Sequence, residues 1–329
     1  MKLSVVVPAY NEENAIGCVV KSVPRQIEGV DDIKILVVDD GSTDRTFEVA
    51  KQAGADRIIQ HETNRGVGEA FQTGLKEALT SGADIIVTMD GDGQFDPEDI
   101  PRLVQPILER RADFVVGSRF LSKDLQPTLP FWKLLGNRFF TKIVSWAVGE
   151  KLTDTQCGFR AYSRETALRL TLFGSYTYTQ EVLIDLLRKK QRILEVPVKA
   201  SYDERRRSRV VRSCAYYGLH AGSIVLRTIR DSRPLAFFGT IGSSLFLTGV
   251  VLGLFVFLRW IVVGATSPYT SLINVSSILL TIGFLTAVLG LLADMHARQR
   301  KLEEEILYHF RKRVFNEESS KVIDKETTH

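Results

Sequence analysis

Two long stretches without a charged side chain decide what this 329-residue chain can fold into. Residues 234–258 hold no Asp, Glu, Lys or Arg, and after Arg259 none occurs until Asp294. A water-facing helix keeps charge on one side, so uncharged runs of this length are the mark of helices in hydrocarbon. Spans are expected over residues 235–258 and 271–292, with residues 264–270, Pro268 among them, as the turn between. The shorter span, 22 residues, reaches about 33 Å at the helical rise, enough for the hydrocarbon core. A buried helical hairpin of a water-soluble protein is the competing reading. Arg259 and Trp260 fall at the far interface, where Arg can snorkel and Trp is favoured.

The flanks orient the pair. Arg205, Arg206, Arg207, Arg209, Arg212, Arg227, Arg230 and Arg233 precede the first span, and Arg298, Arg300 and Lys301 follow the second. By the positive-inside rule both flanks, and with them both termini, are expected in the cytoplasm of a plasma-membrane or ER-type bilayer. No signal peptide precedes the strand pattern that begins at Leu3. Within residues 205–233, Arg209, Arg212, Arg227 and Arg230 fall on one side of a helix, and Cys214, Tyr217, Ala221, Ile224 and Thr228 on the other. A basic amphipathic helix beside a span reads as an interfacial helix on anionic lipid, although Leu219 and Leu226 interrupt the basic side. Nucleic-acid binding is the rival for any arginine run, and the adjoining spans argue against it. Cys18, Cys157 and Cys214 are too scattered for a disulfide framework or a zinc site. The net charge of +4 points to no partner.

Ahead of the spans, strand-like and helix-like patterns alternate, the pattern of an α/β layer with a mainly parallel sheet. Strands are expected at residues 3–7, 33–38, 57–60, 84–89 and 114–117, and helices over 14–27, from Ser42 or Thr43 to 53, from about 68 to 81, and from Asp96-Pro97 to 110. The loops after these strands carry Tyr10, Asn11 and Glu12; Asp39 and Asp40; Asp90, Asp92 and Gln94; and Arg119. In an open α/β sheet ligands bind outside the carboxyl ends of the strands, and so many acids exceed what turns need. Asp90-Gly91-Asp92-Gly93-Gln94 puts two carboxylates, one residue apart, at the end of a strand, where they can converge on a hard divalent cation bridged to substrate phosphates. An Asp/Gly surface turn is the plainer alternative. Neither GxGxxG nor GxxxxGK[ST] occurs, which argues against nicotinamide and P-loop sites.

VVVPAYNEE (residues 5–13), VVDDGSTD (37–44), NRGVGEAF (64–71), MDGDGQFDPEDI (89–100), VVGSRF (115–120) and DTQCGFRAYSR (154–164) resemble, in order and spacing, inverting glycosyltransferase family 2. More narrowly they are similar to its dolichyl-phosphate mannosyltransferase branch, the polyprenyl-phosphate glycosyltransferases, in which a C-terminal pair of spans also occurs. The resemblance implies a Rossmann-like GT-A catalytic domain over residues 1–204, then the juxtamembrane helix at 205–233, the hairpin at 234–293 and a charged tail at 294–329. It implies that Pro8, Tyr10 and Glu12 line the nucleoside pocket and that Asp39 contacts base or ribose. Asp90, Asp92 and Gln94 would hold Mg²⁺ or Mn²⁺ on the diphosphate. Arg119 would face the acceptor phosphate, with Arg138 a weaker candidate. Asp154 and Arg160 would act on the acceptor side or anchor their loop. Glu181 stands where other members place a catalytic base. The partners implied are a nucleotide-diphosphate sugar (GDP-mannose, UDP-glucose or UDP-N-acetylglucosamine), a polyprenyl or dolichyl-type phosphate, and the bilayer.

Two rival functions stay in view. A family 2 polymerase acting on a polysaccharide or glycolipid would carry QxxRW, and here Val256 stands where Gln is needed ahead of Arg259-Trp260. A non-catalytic membrane scaffold is the other, against which the intact Asp90, Asp92 and Gln94 speak. Residues 298–313 fit a charged helix with Ile306, Leu307 and Phe310 on one side, serving as a homo-oligomer contact or a surface helix, and residues 316–329 read as disordered.

Overall fold

The computed structural model describes residues 1–122, 141–142, 145, 150–171, 178–201 and 234–327. The juxtamembrane helix expected at 205–233, Arg138 and most of the helix expected around it lie outside these residues. The chain divides into two compact units, Met1–Arg212 with Glu305–His329, and Ser213–Glu304.

The first unit is a seven-stranded sheet with helices on its faces, in the order β3-β2-β1-β4-β6-β5-β7. Strands β1 (Lys2–Ala9), β2 (Asp32–Asp39), β3 (Arg57–Gln60) and β4 (Ile85–Thr88) run parallel. Their centres, such as Val5, Val6 and Val7 in β1 and Ile85, Ile86 and Val87 in β4, are buried whichever face they take. Continuous apolar runs of this kind belong to strands covered on both sides. Helix α3 (Val67–Thr80) covers β1 and β2 with Ala70, Phe71, Leu75, Ala78 and Leu79, a stripe at helical spacing.

Two helix ends depart from expectation for local reasons. Helix α1 (Ile16–Ser22) stops well short of residue 27, because Val23 turns extended (ψ 122°) ahead of Pro24. Helix α2 (Thr46–Gln52) starts later than Ser42 or Thr43. The carboxylate of Asp44 accepts from Thr46 N at 3.0 Å at its start, and the residues expected to cap it bond instead to Asn11 across the neighbouring loop. Asp96 does cap its helical turn, accepting from Glu98 N with Pro97 in the first position, and α4 (Ile100–Leu108) follows.

Two strands are legible only in the structure. Strand β6 (Arg160–Ser163) runs antiparallel between β4 and β5 (Phe114–Ser118), and β7 (Ile193–Pro197) closes the edge parallel to β5. Between them stand α5 (Arg164–Arg169) and α6 (Tyr178–Arg188).

The C-terminal segment is helical to residue 327 rather than disordered. Helix α8 (Thr270–Thr327) brings Tyr308 and Phe315 into the core of the first unit. The Tyr308 hydroxyl donates to Glu165, the Arg169 guanidinium lies 3.9 Å over the Tyr308 ring, and the Ser319 hydroxyl lies 3.2 Å from the Leu79 carbonyl oxygen.

In the second unit α7 (Pro234–Val263) packs on the first part of α8. Both helices are long and apolar enough to cross a membrane. Leu247, Val251 and Val262 on α7 and Phe284 and Leu285 on α8 are exposed, as expected where lipid is the solvent. The buried seam of α7 is Gly242, Gly249 and Val256. Backbones approach so closely that a Cβ on Gly283 would meet Phe246 N at 2.6 Å, and Ser276 Oγ donates to Gly249 O at 2.8 Å. Small residues and an interhelical hydrogen bond are how helices associate where burial of apolar surface offers little.

Candidate active site

Register places the first set of site residues. Ala9 pairs with Asp39, so the loops after β1 and β2 leave the sheet side by side. Asp40 N donates to Ala9 O (2.9 Å) and Gly91 N to Pro8 O (3.1 Å), which ties the loops after β2 and β4 to the end of β1. The Tyr10–Glu12 loop is latched across: Asn11 N donates to Ser42 Oγ (2.9 Å), Thr43 N to Asn11 Oδ1 (2.8 Å) and Glu12 N to Thr46 Oγ1 (2.8 Å).

The two neighbouring aspartates divide their work. Asp39 is buried, and its carboxylate accepts from Ser42 N and Gln60 Nε2, both at 3.0 Å. Asp40 is committed to architecture: it accepts from Arg65 N (3.0 Å) and Gly66 N (2.8 Å) and lies 2.7 Å from His61 Nδ1. His61 Nε2 in turn lies 3.0 Å from Thr73 Oγ1 on α3. Sequence reasoning missed His61, since a lone histidine after a short strand carries no pattern.

The acidic stretch turns tightly at the end of β4. Asp92 Oδ1 accepts from Gln94 N (3.0 Å), and Gln94 O accepts from Ser201 N (2.8 Å). Burial and, next, the Asp92 carboxylate push the Asp90 carboxyl up to about 7, against the pull of the Arg160 and Arg119 guanidiniums, with Glu12 adding to the rise. Groups on the loops after β1, β4 and β5 and on β6 thus share one electrostatic field. Two carboxylates that repel each other are relieved by a divalent cation, and a set made only of oxygens suits Mg²⁺ or Mn²⁺. Among the described residues no cluster of three His, Cys, Asp or Glu side chains gathers. Two carboxylates and an amide oxygen, the set expected at Asp90, Asp92 and Gln94, would suit an ion whose remaining ligands are substrate oxygens.

The expected acceptor-side residues meet as a chain of contacts. Asp154, fully buried, clasps the Arg119 guanidinium at 2.6 Å (Nε to Oδ2) and 2.9 Å (Nη2 to Oδ1). Arg160 is also fully buried, donating through Nε to Cys157 O at 2.8 Å, while among the described residues its Nη1 finds no acceptor. Glu195 on β7, which sequence reasoning missed, accepts from Thr153 N, Asp154 N and Thr153 Oγ1. Its one signal was an acid in the otherwise apolar strand ILEVP. Glu181 stands partly buried in the first turn of α6. Burial pushes the Cys157 thiol up to about 12, so it is no nucleophile near neutral pH.

The family described as Glycosyl transferase family 2 matches residues 4–170. The UDP-N-acetylglucosamine–dolichyl-phosphate N-acetylglucosaminyltransferase of Methanococcus voltae is 36% identical over 218 residues, 60% of this chain and 85% of that one. The dodecaprenyl-phosphate galacturonate synthase of Rhizobium johnstonii is 27% identical over 341 aligned positions, 97% of this chain and 94% of the relative, so that similarity extends through the hairpin. Among solved structures, glucosyl-3-phosphoglycerate synthase of Mycobacterium tuberculosis with Mg²⁺ and UDP superposes with a TM-score of 0.51 at 25% identity, covering 70% of this chain and 79% of that one.

Proposed function

The chain belongs to glycosyltransferase family 2, and from that premise we propose that it transfers one hexose from a nucleotide-diphosphate sugar to a polyprenyl or dolichyl-type phosphate at a membrane surface. What carries this reading is the meeting of the loops after β1 and β4 with the start of β6: Gly91 N bonds Pro8 O, and Asp90 packs against Gly158 just ahead of Arg160. Acids for a cation–diphosphate and a guanidinium for a second phosphate then stand at one end of the sheet, beyond β1, β4 and β5. Relatives named for polyprenyl phosphates support the acceptor, and a structural neighbour with Mg²⁺ and UDP supports the donor side.

In this reading Pro8, Tyr10 and Glu12 border the nucleoside, and Asp39 accepts from base or ribose. Asp90, Asp92 and Gln94 would hold Mg²⁺ or Mn²⁺, and such an ion supplies charge neutralisation at the leaving diphosphate. Arg119 binds the acceptor phosphate, which suits a planar guanidinium. An acceptor phosphate oxygen attacks the anomeric carbon, the bond from that carbon to the diphosphate oxygen breaks, and the electron pair leaves with the nucleoside diphosphate. A phosphate is already an anion near neutral pH, so Glu181 orients rather than deprotonates, and the rate rests on positioning. Arg138 is a second candidate for the acceptor phosphate. Asp154 and Arg160 serve that side by holding Arg119 and the 155–157 loop.

The uncharged helices anchor the protein, with the catalytic unit and both termini on the cytoplasmic side of the positive-inside flanks. A single displacement inverts the sugar. Nuclear magnetic resonance of the lipid product made from an α-linked donor is expected to show a β-linked phosphate sugar. An α-linked product, or free sugar alone, overturns the reading.

A further inference from the structure

Asp154 is held at both ends by different partners. Its side chain clasps Arg119 in a two-point fork at 2.6 and 2.9 Å, and Arg119 N also donates to Oδ2 at 3.3 Å. Its main-chain N–H donates to Glu195 Oε1 at 3.1 Å. The preceding residue adds to the same carboxylate: Thr153 N lies 2.9 and 3.0 Å from the two Glu195 oxygens, and Thr153 Oγ1 lies 2.9 Å from Oε2. Thr153 Oγ1 also lies 2.6 Å from the hydroxyl of Ser118, the residue before Arg119.

The sheet explains why Glu195 can reach this loop. Strand β7 runs parallel to β5 with Glu195 opposite Val116, so its side chain lies beside the strand whose carboxyl end carries Arg119. Both oxygens of Glu195 receive donors, which a partly buried carboxylate needs to offset its lost hydration. A loop that needed only anchoring could take its bonds from backbone carbonyls. Here instead a second acid is set beside Asp154, both its oxygens meeting donors of the 153–154 pair. That pins the backbone of Asp154, while Gln156 N, 3.1 Å from Oδ1, and the Arg119 fork hold its carboxylate.

We propose that Glu195 is a positioning residue for the transfer, setting the direction of the Arg119 guanidinium through Asp154. The proposal rests on Arg119 as the residue that binds the acceptor phosphate. Glutamine at 195 keeps one acceptor oxygen but turns an NH₂ toward donors, so part of the clamp opens with little change of volume.

The test uses the full chain in detergent with dolichyl phosphate and whichever of UDP-N-acetylglucosamine, UDP-glucose and GDP-mannose it turns over. Glu195→Gln, Asp154→Asn, the double variant and Arg119→Lys are compared. Glu195→Gln is expected to raise the acceptor KM about tenfold, the size of one lost hydrogen bond to a charged group, with the donor KM within twofold. The double variant is expected to be no worse than Asp154→Asn, because residues in one network do not add. A multiplied effect in the double variant, or a rise in donor KM in place of acceptor KM, overturns the relay. If Arg119→Lys raises the acceptor KM while Glu195→Gln does not, the relay alone fails. If Arg119→Lys leaves it unchanged, the acceptor role of Arg119 fails and the relay with it. Should Glu195→Gln not fold, Thr153→Val removes the hydroxyl that meets both Glu195 Oε2 and Ser118 Oγ and is expected to raise the acceptor KM about tenfold, again one hydrogen bond to a charged group. If no donor is turned over, urea unfolding midpoints decide: additive shifts for Glu195→Gln and Asp154→Asn overturn the coupling, and non-additive shifts support it.

Discussion

The carboxylate of Asp90 lies against the Cα of Gly158, so that a Cβ at 158 would come within 2.8 Å of Asp90 Oδ2 and 3.2 Å of its Cγ. The CGF of the sixth motif thus meets the DGD of the fourth across the sheet, where β6 pairs with β4. Glycine at 158 makes room for an acid.

Gly158→Ala should therefore displace Asp90. Forcing a methyl into packed surroundings costs roughly 1–3 kcal/mol. The expected result is about a tenfold fall in transfer rate and a higher half-saturating Mg²⁺ concentration, measured by metal titration. Gly239→Ala, where a Cβ meets nothing within 4 Å, is the control and should behave as wild type.

Asp90→Asn separates stability from activity. The ordinary pKa of 3.8 is raised to about 7 in the fold, so between those values the native state binds more protons than the unfolded one. Stability of the metal-free protein then falls as pH rises through that window. Thermal melts at pH 8 without metal should show Asp90→Asn more stable than wild type, with a flatter pH dependence, while transfer drops about a hundredfold, as for other lost electrostatic stabilisers. A lower Tm for the variant contradicts the prediction.

Asp40 holds Arg65 N and Gly66 N, the entrance to α3, next to the Asp39 proposed to meet the nucleoside. Asp40→Ala leaves these amides without their acceptor, a loss of about 1–3 kcal/mol. Initial-rate kinetics should give a donor KM raised about tenfold and an unchanged acceptor KM.

Phe315 enters the core of the catalytic unit from α8. Phe315→Ala should lower its stability by about 3 kcal/mol, as buried Phe to Ala changes do. In circular dichroism melts that is a drop of roughly 6–12 °C. An unchanged melt would mean that the segment does not support the domain.

The sheet half built from β1 to β5 was legible because each strand is an apolar run closed by a polar loop, and because those loops carry the chemistry. Strand β6 was not. Its residues Arg160-Ala161-Tyr162-Ser163 mix a cation and two hydroxyls into a buried strand, and the Cys157 and Thr155 carbonyls that accept from Arg160, with the Phe114 ring beside it, explain how it is tolerated there. Strand β7 reads as half-apolar, and Glu195 gains its meaning from a loop about forty positions away in sequence. The docking of Tyr308 and Phe315 depends on contacts across some 140 residues or more, which periodicity cannot reveal in a segment rich in charge. The two apolar helices announced themselves by lacking charge, while the Gly242–Gly283 approach needed both helices in place.

The most direct measurement is a donor panel. Purified full-length protein in detergent, with Mg²⁺ or Mn²⁺, receives dolichyl phosphate and radiolabelled GDP-mannose, UDP-glucose or UDP-N-acetylglucosamine in turn, with Asp92→Ala as control. Label from one donor should pass into the organic phase and vanish in the variant. Folded protein that moves no label from any donor with either metal, or an Asp92→Ala variant as active as wild type, would contradict metal-assisted transfer to a polyprenyl phosphate.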